Sequence, residues 1–158
     1  WNAVLAVGQK HDIRPVGLGA RDSLRLESAY CLYGNDIDPS TNPIEAGLGW
    51  IVKLKKKGGF IGKDSVIKAK ENVKRKLVGF KLMDKGVPRQ HCEIYHEGHR
   101  IGVVTSGGMS PVLEVGIGMA YIDLPLQEIG TQIEVDVRGR KLKAEVVKTP
   151  FYIRPPVG

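Results

Sequence analysis

Several things are scarce in this sequence, and each scarcity removes a class of protein. Only two cysteines, Cys31 and Cys92, occur in 158 residues. They are far apart and fit no CxxC spacing, so neither a disulfide framework nor a zinc knuckle is expected, and both read as buried thiols. No apolar run approaches the roughly 20 residues needed to cross a bilayer. The N-terminus, WNAVLAVGQKHD, lacks the basic start and continuous apolar segment of a secretory signal, so an intracellular, soluble protein is expected. There is no internal repeat, and nothing of low complexity beyond the tail RPPVG.

What is present suits a globular fold. Hydrophobic residues make up 42% of the chain, enough for one ordinary domain or two small ones. The net charge of +7 is unevenly placed: residues 53–76, KLKKKGGFIGKDSVIKAKENVKRK, hold ten Lys or Arg against Asp64 and Glu71. That segment alone exceeds the charge of the whole chain. A single basic patch favours an acidic partner or substrate tail, and its bland alternative is a solvated, lysine-rich helix. Nucleic-acid binding is less suited to it, because only Phe60 lies inside the patch and base stacking calls for exposed aromatics.

Trp1, Val4, Leu5 and Gly8 recur at helical spacing with no capping residue ahead of them, which predicts a helix that starts before the chain does. DSLRLESAYCL predicts a second helix, with Asp22 or Ser23 near its N-cap, Arg21 at its entrance, and Asp22 and Arg25 three apart on one surface. YGNDIDPSTNP reads as loop, GLGWIVKL as a short strand, and DSVIKAKE as a third helix capped by Asp64. From about residue 74 the period changes to two. VGFKLM, CEIYH, RIGVVTSG, VGIGMAYID, TQIEVDVRG and KLKAEVVKT are short and rich in β-branched or aromatic residues, with turn signals such as HEGH, SGGMSP and RGR between them. Six such strands predict a small antiparallel barrel or sandwich, with a boundary near residues 72–76.

Residues 17–52 carry the chemistry. Glycines 17, 19, 34, 47 and 49 alternate with Arg21, Asp22, Arg25, Glu27, Asp36, Asp38 and Glu45, and with Tyr33 and Trp50. An Arg at a helix entrance and a Trp after a double-glycine turn suit an anionic, aromatic ligand, since Arg pairs with carboxylate and Trp stacks. The structural alternatives are a salt bridge from Arg21 to Asp22 or Glu27, and a core position at a domain interface for Trp50.

Three other groupings carry less. GGFIGKDS lacks the P-loop glycine, with Lys57 in its place, and has Asp64 where Ser or Thr would follow Gly-Lys; an aspartate there repels phosphate. His91, Cys92, His96 and His99 include metal-ligand types, but in a hairpin turning at Glu97 and Gly98 at most a subset converges. Ser106, Ser110 and Cys31 have no matched base and orienting acid, and SGGMSP reads as an exit from a strand into a turn.

GLGARDSLRLESAYCLYGNDID, followed by NPIEAGLGW and GGFIGKD, resembles the glycine cleavage T-protein family of aminomethyltransferases. The likeness continues through RKLVGFKL, GVPR, IGVVTSGGMSP, IGMAYID, VRGRK and KTPFY, nearly the entire chain in order. Family members are much longer, so the resemblance is to their C-terminal part. It implies an α+β chain: residues 1–73 as the end of a folate-binding body of helices and short strands, and 74–158 as an antiparallel six-stranded barrel or jelly-roll-like domain. The implied activity moves a one-carbon unit from the aminomethyl group on the lipoyl arm of H-protein to tetrahydrofolate, releasing ammonia and forming methylenetetrahydrofolate. Arg21 matches a folate-binding arginine, Trp50 an aromatic lining the folate pocket, and Tyr152 falls near a folate-contacting tyrosine. The family's catalytic aspartate and a folate-contacting glutamate are expected upstream of Trp1, so the isolated chain is expected to be inactive. Lipoylated H-protein, which is acidic, is the expected partner of the patch from Lys53 to Lys76, and the location would be cytoplasmic in a prokaryote or mitochondrial in a eukaryote. The alternatives are the folate-binding end of a dimethylglycine or sarcosine oxidising enzyme, and a non-catalytic folate-binding assembly protein.

Overall fold

Alternating apolar residues in the second half close into a barrel. In the computed structural model, which describes residues 1–155, six antiparallel strands follow each other: β1 (Arg75–Leu82), β2 (Glu93–His96), β3 (His99–Ser110), β4 (Val115–Asp123), β5 (Gln132–Val137) and β6 (Arg140–Val147). Residues 156–158, the end of the RPPVG tail, lie outside the described residues. The hydrogen-bonded order is β1-β4-β3-β2-β5-β6, and β6 pairs back onto β1, for instance Phe80 with Val146. The chain is therefore α+β with a closed barrel; a sandwich is excluded because no strand is left as an edge.

Inward positions fill the barrel as period two requires: Phe80, Ile94, Val104, Ile122, Val135 and Val146 are almost fully buried. Ile133 and Val135 point inward while Glu134 and Asp136 reach the surface, the alternation expected of β5. Large residues need small neighbours here. A Cβ on Gly118 would meet the Phe80 ring at 2.5 Å, so this β4 glycine makes room for the largest core side chain.

The helices lie outside the barrel. α1 (Asn2–Gly8) has Trp1 as its N-cap with no side-chain cap bond. α2 begins earlier than predicted: it spans Leu18–Glu27 with Gly17 as its cap, so Arg21 falls one turn inside it and not at its entrance. It also stops earlier, at Glu27 and not near Cys31, because Ala29 turns left-handed (φ 54°) and the Tyr30 and Ala29 amides fold back onto the Arg25 and Leu26 carbonyls. Leu26 anchors α2 against Ile117 and Met119 on the barrel's outer face, with Phe151 over the same cluster. Burying a leucine in this way contributes about 1.5–3 kcal/mol.

Two further predictions needed correction. GLGWIVKL forms no strand: residues Gly49–Ile51 make one 3-10 turn, because the Ile51 amide and the Val52 amide return to the Leu48 and Gly49 carbonyls. α3 (Lys63–Glu71) is capped by Gly62 at φ 86°, not by Asp64, which stands in the first turn where its charge suits the helix N-terminus. No helix among the described residues is long and apolar enough to cross a membrane.

Candidate functional site

The polar stretch 17–52 is held on the barrel by three buried carboxylates. Asp36, whose side chain is 0% exposed, is the centre of the first set. Its Oδ2 accepts from Arg25 Nη1, the Leu32 amide and Ser106 Oγ, each at 2.8 Å, and its Oδ1 accepts from Thr105 Oγ1 at 2.5 Å. The Tyr121 hydroxyl donates to its backbone carbonyl at 3.0 Å. Consecutive residues of a strand normally point to opposite faces. The register of β3 against β4 slips between Val104 and Ser106, and this bulge lets the neighbouring Thr105 and Ser106 reach the same carboxylate.

Arg25 completes the set from α2. Its Nε and Nη2 bond Asp22 Oδ1 at 2.8 and 2.6 Å, confirming the predicted pair, while Nη1 turns inward to Asp36 and Ser106. The second carboxylate, Glu27, accepts from Ser110 Oγ at 2.5 Å and the Val112 amide at 3.1 Å. SGGMSP is thus not an exit from the sheet: β3 runs on to Ser110, and Ser106 and Ser110 are buried partners of carboxylates.

The third, Glu45, receives the Asn42 amide and pairs with Arg75 of β1 at 3.0 Å. Burial works to raise the Glu45 pKa, but the hydrogen bonds from Arg75 and Asn42 outweigh it and hold the carboxyl below its ordinary value. Arg75 is correspondingly shifted up by its bond to Glu45 and lies over the Tyr121 ring, 4.5 Å from its centroid. Burial, and then the Glu45 charge, push the Tyr121 hydroxyl up to about 12, so it remains a neutral donor. These three acids are what sequence reasoning missed. Their spacing, nine residues apart in a loop-rich stretch, is the only signal, and it does not reveal hydroxyl partners some 70 or 80 positions away.

Trp50 is not a core residue. It is 75% exposed and borders two cavities. One, of about 290 Å³, runs between Tyr30, Cys31, Gly79, Thr149 and Pro150; the other, of about 600 Å³, is lined by Ile44, Lys53, Lys55, Lys56 and Lys70. A flat aromatic face flanked by cations suits a planar ligand with a carboxylated tail. Tyr152 is half-buried just beyond Pro150, its amide donating to the Glu27 carbonyl at 3.1 Å, which ties the end of the chain to the end of α2. Arg21 makes no salt bridge to Asp22 or Glu27, since Arg25 and Ser110 occupy those carboxylates; it is exposed, about 9 Å up the axis of α2 from Glu27, and is not among the residues lining the Trp50 cavities. Trp50 and the segment before Tyr152 therefore share a cavity, and Arg21 lies apart from it.

Cys31 and Cys92 are half-buried, not the buried thiols expected. Burial and the neighbouring Asp36 charge raise the Cys31 pKa, which makes it a poor nucleophile. Among the described residues no three His, Cys, Asp or Glu side chains come together in a metal-holding arrangement. In the His-rich hairpin the turn at Glu97 and Gly98 has both φ angles positive, and His96 Nδ1 lies 2.8 Å from the Gln132 carbonyl oxygen.

A closed antiparallel barrel with a helical, loop-rich stretch fastened to it by buried carboxylates defines an α+β barrel protein. Residues 75–152 match the family model described as the glycine cleavage T-protein C-terminal barrel domain, and residues 1–56 match the GCVT N-terminal domain. The chain belongs to the glycine cleavage T-protein family. It is 55% identical over 153 residues to an aminomethyltransferase of Bacteroides thetaiotaomicron and 53% identical over 152 residues to one of Halothermothrix orenii, in each case over 96% of this chain and 42% of the relative. The crystal structure of the glycine cleavage system aminomethyltransferase T from Bartonella henselae superposes with a TM-score of 0.86 at 35% identity, over 96% of this chain and 44% of that one. The chain thus spans less than half the length of the relatives it matches.

Proposed function

We propose that the chain supplies the C-terminal part of a tetrahydrofolate-dependent aminomethyltransferase, which takes the one-carbon unit from aminomethyl-lipoyl H-protein and releases ammonia and methylenetetrahydrofolate. The observation that carries this reading is the exposed Trp50 ring between two cavities, one of them edged by four lysines. The fit to tetrahydrofolate is chemical: the pterin and aminobenzoyl rings would stack on Trp50 and the glutamate carboxylates would meet positive charge. Tyr152 would close the same cavity from the C-terminal side. Arg21, exposed and outside the two Trp50 cavities, would meet the part of the ligand that projects beyond them, as a positioning group and not as a base. Residues 1–73 would form part of the folate-binding body and residues 74–158 the barrel that steadies it.

In this reading the group that assists the attacking folate nitrogen comes from outside the 158 residues, so the chain alone binds folate weakly and has negligible transferase activity. The names of the relatives favour this reading over an oxidising enzyme or an assembly protein, since they are aminomethyltransferases. The basic patch from Lys53 to Lys76, beyond the four lysines that edge the Trp50 cavity, would dock the acidic H-protein. The test is methylenetetrahydrofolate formation from aminomethyl-loaded H-protein, with the chain alone and with the chain extended to the full length of its relatives. Turnover only by the extended chain supports the proposal; none by the extended chain, or robust turnover by the 158 residues, overturns it. Reversing the charge of Lys57, Lys68 and Lys74, which are exposed and do not line the Trp50 cavity, should raise the KM for H-protein and flatten its salt dependence, and an unchanged KM would remove the docking assignment.

A further inference from the structure

A third cavity lies at one end of the barrel, formed by elements other than those that place Trp50. Its volume is about 460 Å³, within the range of small-molecule sites. Four exposed cations line it: Lys85 and Arg89 from the β1–β2 loop, Arg138 from the β5–β6 turn and Arg140 from the start of β6. None of the four is in an ion pair with an acidic side chain among the described residues. The two nearby acids are already engaged by backbone amides, Asp84 by that of Lys143 and Asp136 by that of Gly139. Asp84 and Asp136 keep their negative charge while accepting those amides, so the concavity sets four cations that form no ion pair against two nearby carboxylates and stays net positive.

The floor is apolar and the walls are fixed. Val87, Val137 and Leu142 line the cavity beneath the charges, with Cys92 beside them. The β1–β2 loop is clamped at several points: a Cβ on Gly86 would meet Leu142 at 2.3 Å, and one on Gly107 would meet the Pro88 carbonyl oxygen at 2.8 Å. The Met83 amide bonds the Lys143 carbonyl at 2.8 Å, and the His91 amide bonds that of Val104 at 2.9 Å. Opposite, the turn is set by Arg138 at φ 58° and Gly139 at φ 80°, a tight hairpin held by the Asp136 carboxylate. The cations are therefore presented by backbone with little freedom, which lowers the ordering cost of binding.

We propose that this cavity binds a small organic polyanion, a phosphate ester or polycarboxylate whose charged end is held by Arg89, Arg138, Arg140 and Lys85 and whose hydrocarbon part rests on Val87, Val137 and Leu142. Guanidinium groups bind such oxyanions in bidentate fashion, and a concavity of this size, open on one side, has room for a small molecule between the four cations.

The two cysteines give a built-in positional readout, because Cys92 lines this cavity and Cys31 lines the one beside Trp50. The experiment is alkylation of the full chain by iodoacetamide, read at each cysteine by mass spectrometry, with phenyl phosphate, pyrophosphate or an acidic peptide present. Phenyl phosphate is expected to slow modification of Cys92 with little effect at Cys31, with pyrophosphate weaker. In the Arg89→Gln/Arg140→Gln variant, whose altered side chains are at the surface, the concentration of phenyl phosphate needed should rise by at least about tenfold. The comparison is made between rates with and without ligand in the same variant, so a change in the thiol's own reactivity cancels. Absence of Cys92 protection by either small anion, or equal protection in the variant, overturns the proposal. Protection by the acidic peptide alone also overturns it, and assigns the surface to a protein partner.

Discussion

Replacing Asp36 by Ala is the sharpest perturbation of the framework that carries the candidate site. The substitution removes the acceptor for Arg25, Thr105, Ser106 and the Leu32 amide together. Breaking a buried ion pair by removing one partner costs about 3–5 kcal/mol, because the other charge is left behind. Arg25 is only 12% exposed but retains Asp22, which is 54% exposed, so the lower end, about 3 kcal/mol, is expected. For a chain of this length that corresponds to a fall in Tm of roughly 6–12 °C. Asp22→Ala is the control: it removes a half-exposed contact to the same guanidinium and should cost about 1 kcal/mol or less. Urea unfolding followed by far-UV circular dichroism measures both. A loss at Asp36 no larger than that at Asp22 would refute the view that Asp36 fastens the polar stretch to the barrel.

Gly79→Ala should push the C-terminal segment off β1, since a Cβ there would lie 2.4 Å from Thr149 and 2.9 Å from Phe151; the cost should be about 1–3 kcal/mol, with faster proteolysis after residue 148. Glu45 supplies a pH signature. Its folded pKa is depressed, so its stabilisation is present above the unfolded carboxylate value of about 4.3 and is lost as pH falls through the folded value. The stability gap between the protein and Glu45→Gln should therefore close on acidification, and urea midpoints across a pH series will show whether it does; the gap should be small, because Arg75 is 42% exposed.

The barrel was legible because period-two alternation and turn dipeptides are local signals. TQIEVDVRGRKLKAEVV announces a hairpin without help from any other part of the chain. Helix limits were less legible. Gly17 and Gly62 cap α2 and α3 although Asp22 and Asp64 are stronger capping types, because the backbone entering each helix, not the side-chain preference, sets where it begins. GLGWIV has the composition of a strand, yet no strand is available to pair with it and local amide bonds win. The candidate site was half legible. Trp50 stands out by its glycine neighbours, whereas Asp36 looked like turn chemistry because Thr105 and Ser106 meet it only through a bulge in β3. Arg21 read as the ligand-facing arginine and Arg25 as the partner of Asp22; the two lie one turn apart on nearly the same face of α2, and only Arg25, in the last turn, is far enough along the axis to reach Asp36 and Ser106 on the barrel side.

The most direct test of the central claim is the tetrahydrofolate dissociation constant of the chain extended to the length of its relatives, measured by calorimetry with Trp50 and with Trp50→Ala. Because Trp50 is 75% exposed in the 158 residues, the substitution should leave the Tm of that chain nearly unchanged, and the Tm of the extended chain is measured beside the affinity. The loss of one stacking face should weaken binding by about tenfold or more. Equal affinities at equal stability would contradict the assignment of this ring, and of the two cavities it divides, to the folate site.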